Sequence, residues 1–189
     1  MNRKTILIIV GVLAVVCLCI AGVGIIALNR AGKLISESAS TDPVKIAQTA
    51  SQIADYTLPQ GYKEAFAMSF LNITMAGFTN ESQGMTIFLF QMPAEAGLSS
   101  EQMREQMQQA IEAQTGKRYN LEYVGSENVT IRGQATELLT YEGTTDQGEA
   151  VRQMMGLFDG KNGTAWLMII GKPNAWDQAG VDAFIRSLR

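Results

Sequence analysis

Residues 5–28 contain no charged side chain, and this run constrains the chain more than any other feature. A helix rising about 1.5 Å per residue needs about 20 apolar residues to cross the hydrocarbon core of a bilayer. The twenty-four available here are enough. A cleavable signal peptide has a shorter apolar region, about 7 to 15 residues, closed by a small-x-small site. Ala27, Leu28, Asn29 and Arg30 offer no such site, and Val16 and Leu18 precede Cys17 and Cys19 where lipoprotein processing requires a small residue. The run is therefore expected to persist as a single-pass signal-anchor with the lipid bilayer as its partner.

Orientation follows from the flanking charges. Arg3, Lys4 and the terminal amine lie on one side and Arg30 and Lys33 on the other, so the positive-inside rule places the N-terminus in the cytoplasm. The expected organisation is a cytoplasmic tail at 1–4, a transmembrane helix at 5–28, a juxtamembrane linker with a short helix at 29–56, and an extracytoplasmic domain at 57–189 of the cell membrane. Within the apolar run Ala14, Cys17, Ala21 and Gly24 fall on one stripe of small residues, a surface on which a second membrane helix could pack closely. The competing reading is that Gly and Ala are simply common in membrane helices.

Composition then excludes several classes of chemistry. From residue 34 onward there are 11 Lys and Arg against 18 Asp and Glu, a net charge of −7. Such a surface repels phosphate backbones, and no nucleic-acid partner is expected. The chain has no histidine, which removes His-based triads and the commonest zinc and copper ligand. Both cysteines lie in the apolar run, so the remainder can form neither a disulfide nor a thiolate metal site.

Local grammar predicts the elements beyond the run. Asp42 followed by Pro43 caps a helix whose apolar positions are Ile46, Ala50, Ile53 and Ala54. Leu58-Pro59-Gln60-Gly61 interrupts it. Phe66, Met68 and Phe70 alternate with small residues as in a strand with one buried face, and a second strand is expected at 73–78. The stretches 85–92 and 165–170 are apolar on both faces and should be central strands with cover above and below. Ser99 and Gln102 form a capping box, Leu98 and Met103 a hydrophobic staple, and Gly116 a stop, which predicts a helix burying Met103, Met107, Ala110 and Ile111. Residues 121–131 and 134–141 alternate loosely around Gly133, and 151–158 leads through a hairpin signal at 159–163 into the Trp166 strand. A closing helix is expected from Asn174, carrying Trp176, Val181, Phe184, Ile185 and Leu188.

The expected fold class is thus α+β, an N-terminal transmembrane helix followed by an antiparallel β-sheet domain packed with two or three helices. The order of a strand after Leu58-Pro59-Gln60-Gly61-Tyr62, an inserted helix, long hairpins and a closing helix ending Val181-Asp182-Ala183-Phe184-Ile185-Arg186-Ser187-Leu188 resembles the PsbP-like α/β/α sandwich. It also resembles uncharacterised membrane-anchored bacterial domains. The resemblance covers roughly residues 57–189 and implies a binding or assembly factor, although fold alone does not fix function.

Each residue set that could carry chemistry has a plainer reading. Met103 and Met107, one helical turn apart, are soft thioether ligands suited to Cu(I), yet they share the apolar stripe of Ala110 and Ile111. Glu137 with Glu142, or Asp146 with Glu149, could serve a glycosidase, which needs two acids about 5 to 10 Å apart, but they fall among turns and exposed strand positions. Asp146 and Asp159 lack the Ca²⁺-loop pattern, and Gly77, Gly84 and Gly125 do not make a phosphate loop. The Asn-x-Ser/Thr sites at Asn72, Asn80, Asn128 and Asn162 matter only in a glycosylating host. No catalytic, cofactor or metal residue is assigned. The sequence points to a non-catalytic, membrane-tethered extracytoplasmic module that binds another envelope protein or itself. A small-molecule-binding or carboxylate-based hydrolytic domain is the alternative.

Overall fold

The computed structural model describes residues 39–70, 73–92, 119–145 and 147–189, all within one compact unit spanning 38–189. Eight strands form a single antiparallel sheet: β1 Ala39–Ser40, β2 Lys63–Phe70, β3 Ile73–Asn80, β4 Met85–Gln91, β5 Tyr119–Ile131, β6 Gln134–Thr145, β7 Ala150–Gly160 and β8 Gly163–Gly171. Two helices, α1 Pro43–Ala50 and α2 Gln178–Ser187, and a 3₁₀ turn at Pro173–Ala175 complete the described residues. The strand order is β1-β2-β3-β4-β8-β7-β6-β5, so two meanders meet where β4 pairs with β8.

This architecture corrects the expected α+β class. One large sheet dominates, and only two α-helices accompany it among the described residues. The physical reason lies in 119–160, where alternation and tight turns sustain strands of 13, 12 and 11 residues. No helix among the described residues is long and apolar enough to cross a membrane. The transmembrane helix expected at 5–28, its stripe of Ala14, Cys17, Ala21 and Gly24, and the helix expected near 99–116 with Met103 and Met107 lie outside the described residues.

The core lies on one sheet face, under both helices. Met85, Ile87 and Leu89 of β4 meet Leu167 and Ile169 of β8 and Phe78 of β3, all at most 1 % exposed. Ile46 and Ala50 of α1, Ile53 and Ala54 just after it, and Val181, Phe184, Ile185 and Leu188 of α2 pack down on them. Burying each large aliphatic or aromatic side chain contributes about 1.5 to 3 kcal/mol, so this layer holds the fold together.

Capping fixes where the helices begin. Asp42 accepts hydrogen bonds from Val44 N at 2.9 Å and Lys45 N at 3.4 Å, and Pro43 stands in the first turn, as the sequence anticipates. At the other end the expected start at Asn174 is displaced. Asn174 sits in the 3₁₀ turn, and the helix is capped by Asp177, whose Oδ1 accepts from Gly180 N at 2.9 Å.

The turns at one end of the sheet are tied to the segment after α1. Lys161 N donates to Ile53 O at 2.8 Å, its ammonium reaches Asp55 Oδ1 at 2.6 Å, and Asn162 Nδ2 donates to Gln52 O at 3.0 Å. Asp55 and Arg189 exchange backbone hydrogen bonds, each 2.9 Å, so the last residue is held in the same cluster.

Candidate interaction surface

β5 and β6 form the outer wing of the sheet. Their hairpin turns on Arg132 and Gly133, with φ of 52° and 80°, between the paired Ile131 and Gln134. Two consecutive positive φ values match the twist of the flanking strands, and Gly133 supplies one without steric cost. The Arg132 guanidinium does not face the wing's edge. It donates to Asp159 O at 3.1 Å and Ile53 O at 3.5 Å, reaching back toward the β7–β8 turn.

Register breaks once in β5, between Tyr123 and Gly125, where Val124 is the extra residue of a bulge. Because side chains alternate across a strand, one inserted residue moves everything beyond it to the other face. On the turn side of the bulge Val129 and Ile131 pack toward the core. On the other side Tyr123 sits opposite Tyr141, their rings edge to face at 5.8 Å, on the face away from the helices. The bulge leaves Tyr123 57 % and Val124 54 % exposed; among the described residues Val44 is the other large apolar side chain so exposed.

A charged ladder crosses the same wing. Glu122 stands opposite Glu142, and Glu142 stands opposite Arg152 of β7. Arg152 Nε donates to Glu142 Oε1 at 2.6 Å, and the guanidinium lies 5.3 Å above the Trp176 ring. Glu142 is thereby neutralised, whereas Glu122 and Glu127 face solvent.

The sheet face opposite the helices is also apolar. Phe66 lies over Gly77, and Phe66 and Phe88 are 6.0 Å apart; Phe90 and Trp166 meet edge to face at 6.4 Å. These four, with Met168 and Ile170, are half-buried, and Trp166 Nε1 is buried without a hydrogen-bond partner.

A shallow groove of about 400 Å³ runs between α1 and β2, lined by Ala47, Ser51, Asp55, Tyr56, Leu58 and Glu64. The Tyr56 ring packs 4.9 Å from Phe78 and 6.2 Å from Phe184. Its hydroxyl is buried without a partner, and burial, then the nearby Glu64 carboxylate, pushes its pKa up to about 12. Tyr62 is likewise pushed up to about 12 by burial and then by Asp177, and its hydroxyl donates to Met85 Sδ at 3.5 Å.

The carboxylates singled out by sequence do not converge. Glu137 and Glu142 stand five positions apart on β6, which places them on opposite faces. Asp146 lies outside the described residues, Glu149 pairs with Lys172 at 3.6 Å, and Asp159 is exposed near the end of β7. Asn72 is outside the described residues, Asn80 is buried at the end of β3, Asn128 is exposed on β5, and Asn162 sits in the β7–β8 turn. Sequence reasoning missed the exposed Tyr123–Val124 step. Its signal was the break of alternation before Gly125, where Tyr and Val stand side by side.

No family model matches the chain, and no curated protein matches it. Among solved structures the chain is similar to PsbP (CyanoP) from Synechocystis, at 12% identity and a TM-score of 0.42, covering 80% of this chain and 90% of that one. This is the PsbP-like resemblance the element order suggests. It is also similar to PA94 of Pseudomonas aeruginosa, a protein of unknown function, at 12% identity and a TM-score of 0.36, covering 48% of this chain and 60% of that one. The chain thus spans less than two thirds of the length of PA94, and likenesses of this size assign neither partner nor activity.

Proposed function

We propose that the chain is a non-catalytic binding or assembly module, held at the cell membrane by its uncharged run at 5–28 with the C-terminal unit outside the cytoplasm, and that it contacts a second envelope protein through the β5–β6 wing. The observation that carries this reading is the placement of exposed apolar side chains. Tyr123 and Val124 are both more than half exposed and sit together on the outermost strand. Aromatic side chains such as Tyr are among the usual anchors of a protein interface, and Val124 beside it adds apolar surface. The dispersal of Glu137 and Glu142 over two faces disfavours the hydrolytic alternative, which needs two acids flanking one bond.

The test is photo-crosslinking in intact cells, with a photoreactive residue placed singly at Tyr123, Val124 and, as a control on α1, which packs on β2 and β3, Gln48, followed by mass spectrometry. One protein captured at both strand positions and absent from the control supports the reading. Equal capture at all three positions, or none, refutes it. Recovery of the mature protein in the aqueous fraction without detergent, lacking about its first thirty residues, would refute the tether.

A further inference from the structure

We infer that the free edge of β5 is a docking edge for an extended, basic segment of the second protein, which joins the sheet as an additional strand. This rests on the binding-module reading and names the mode and chemistry of the contact.

Among the described residues β5 ends the strand order, and every residue pair it makes in the sheet is with β6. In an antiparallel strand about every second residue turns its N–H and C=O away from its partner. A strand of 13 residues therefore presents about six outward sets of backbone groups, a template for strand addition. The opposite edge is not comparable among the described residues, where β1 covers 2 residues, Ala39 and Ser40.

Sheets commonly protect such an edge with lysine, proline or a bulge. β5 has one bulge, no proline and no Lys or Arg, and from Ser126 to Ile131 its register with β6 is uninterrupted. The charges it does carry are negative. β5 holds Glu122 and Glu127, both facing solvent, and the nearby Arg132 is turned toward Ile53 O and Asp159 O.

That charge pattern selects the occupant. A second copy pairing β5 against β5 would bring the same glutamates and another net charge of −7 from residue 34 onward into contact, with Glu122 facing Glu127 in the register centred on the bulge. An extended segment alternating basic and apolar side chains meets no such opposition. Its cations lie beside Glu122 and Glu127 on the helix side of the sheet, and its apolar residues reach Tyr123 on the opposite face.

The experiment uses the full-length protein in detergent and three fluorescent decapeptides: alternating Lys-Val, alternating Glu-Val, and Lys-Val methylated on alternate backbone nitrogens. Fluorescence anisotropy should show binding of Lys-Val alone. Methylation leaves the charge intact but removes the strand-forming N–H groups, and is expected to weaken binding at least about tenfold. The E122K/E127K protein, its fold checked by far-ultraviolet circular dichroism, should lose about tenfold as well. Undiminished binding of the methylated peptide, or by the charge-reversed protein, overturns the edge assignment. So does a covalent homodimer from a photoreactive residue at Ser126. If the edge assignment fails while Tyr123 and Val124 still capture a single protein in cells, the binding-module reading stands and only the strand-addition mode falls.

Discussion

The β4–β8 pair at the middle of the sheet and the β5 strand at its edge are nearly opposite in construction. Phe88, Leu89 and Phe90 pair with Met168, Leu167 and Trp166 in an unbroken register, apolar on both faces. β5 alternates Glu122, Glu127 and Asn128 with a few apolar residues and is bent by a bulge. A strand with apolar residues on both faces can be stable only where neighbours and a covering layer remove it from water, so its side chains are committed to holding the fold. An edge strand stabilises the sheet through one partner and is free to change its outer side chains. The difference separates stability from recognition, and substitutions in the two regions should therefore have unlike consequences.

The largest loss is expected at the centre. Phe78 is fully buried on β3, and its ring lies 4.9 Å from Tyr56 and 5.8 Å from Phe184, so it links strand, loop and α2. Phe78→Ala should cost about 3 to 5 kcal/mol, measured by denaturant unfolding. A loss below about 1 kcal/mol would mean that the sheet and α2 do not share a core.

Overpacking comes next. A methyl group added at Gly156 of β7 would run into Leu138 Cδ2 and stand 2.8 Å from the Glu137 carbonyl oxygen. Gly156→Ala is expected to destabilise by about 1 to 3 kcal/mol, because the backbone carbonyl cannot swing aside as a side chain could. A neutral result in the same unfolding experiment would show that β6 and β7 are less tightly apposed at this point.

An alkaline effect belongs to the core side as well. Tyr56 and Tyr62 hold their protons up to about 12 in the folded chain, against an ordinary value of 10.0. Their contribution is fully present below pH 10 and is lost as the pH rises through 12, because the unfolded chain releases these protons first. Stability should fall over that window, and Tyr56→Phe should flatten the fall. An unchanged slope in the variant would show that this hydroxyl does not contribute to it. Smaller again is the cap on α1, where Asp42→Ala should cost about 1 kcal/mol and Asp42→Asn much less.

The same contrast explains what was legible in the sequence. The centre could be read because a residue such as Trp166, set in a run apolar on both faces, has few places to go. Asp42 with Pro43, and the turn between Gly160 and Gly163, were readable because their chemistry is local. The β4–β8 pairing was not readable, since Gln91 and Ala165 are far apart in the chain and a nonlocal pair leaves no local mark. The start of the last helix differs from the expected one because the sequence offers two caps close together. Asn174 and Asp177 can both accept from a first-turn N–H, but Trp176 is extended and the helix begins only after it. The candidate surface was the least legible part, because a bulge exposes Tyr123 and Val124 through a change of register rather than through any motif.

The smallest expected effect is also the one that separates the two regions most sharply. Val124 is 54 % exposed and is the extra residue of the bulge, without a cross-strand partner of its own. Removing its side chain deletes little buried area, and Val124→Ser should change stability by no more than about 0.5 kcal/mol. Tyr123→Ser should cost somewhat more, about 0.5 to 1.5 kcal/mol, because it also removes the edge-to-face contact with Tyr141. If these side chains serve recognition, both variants should fold normally yet capture less partner in cells. A Val124→Ser protein as destabilised as Phe78→Ala would mean that the edge belongs to the core, and the division between a committed centre and an available edge would not hold.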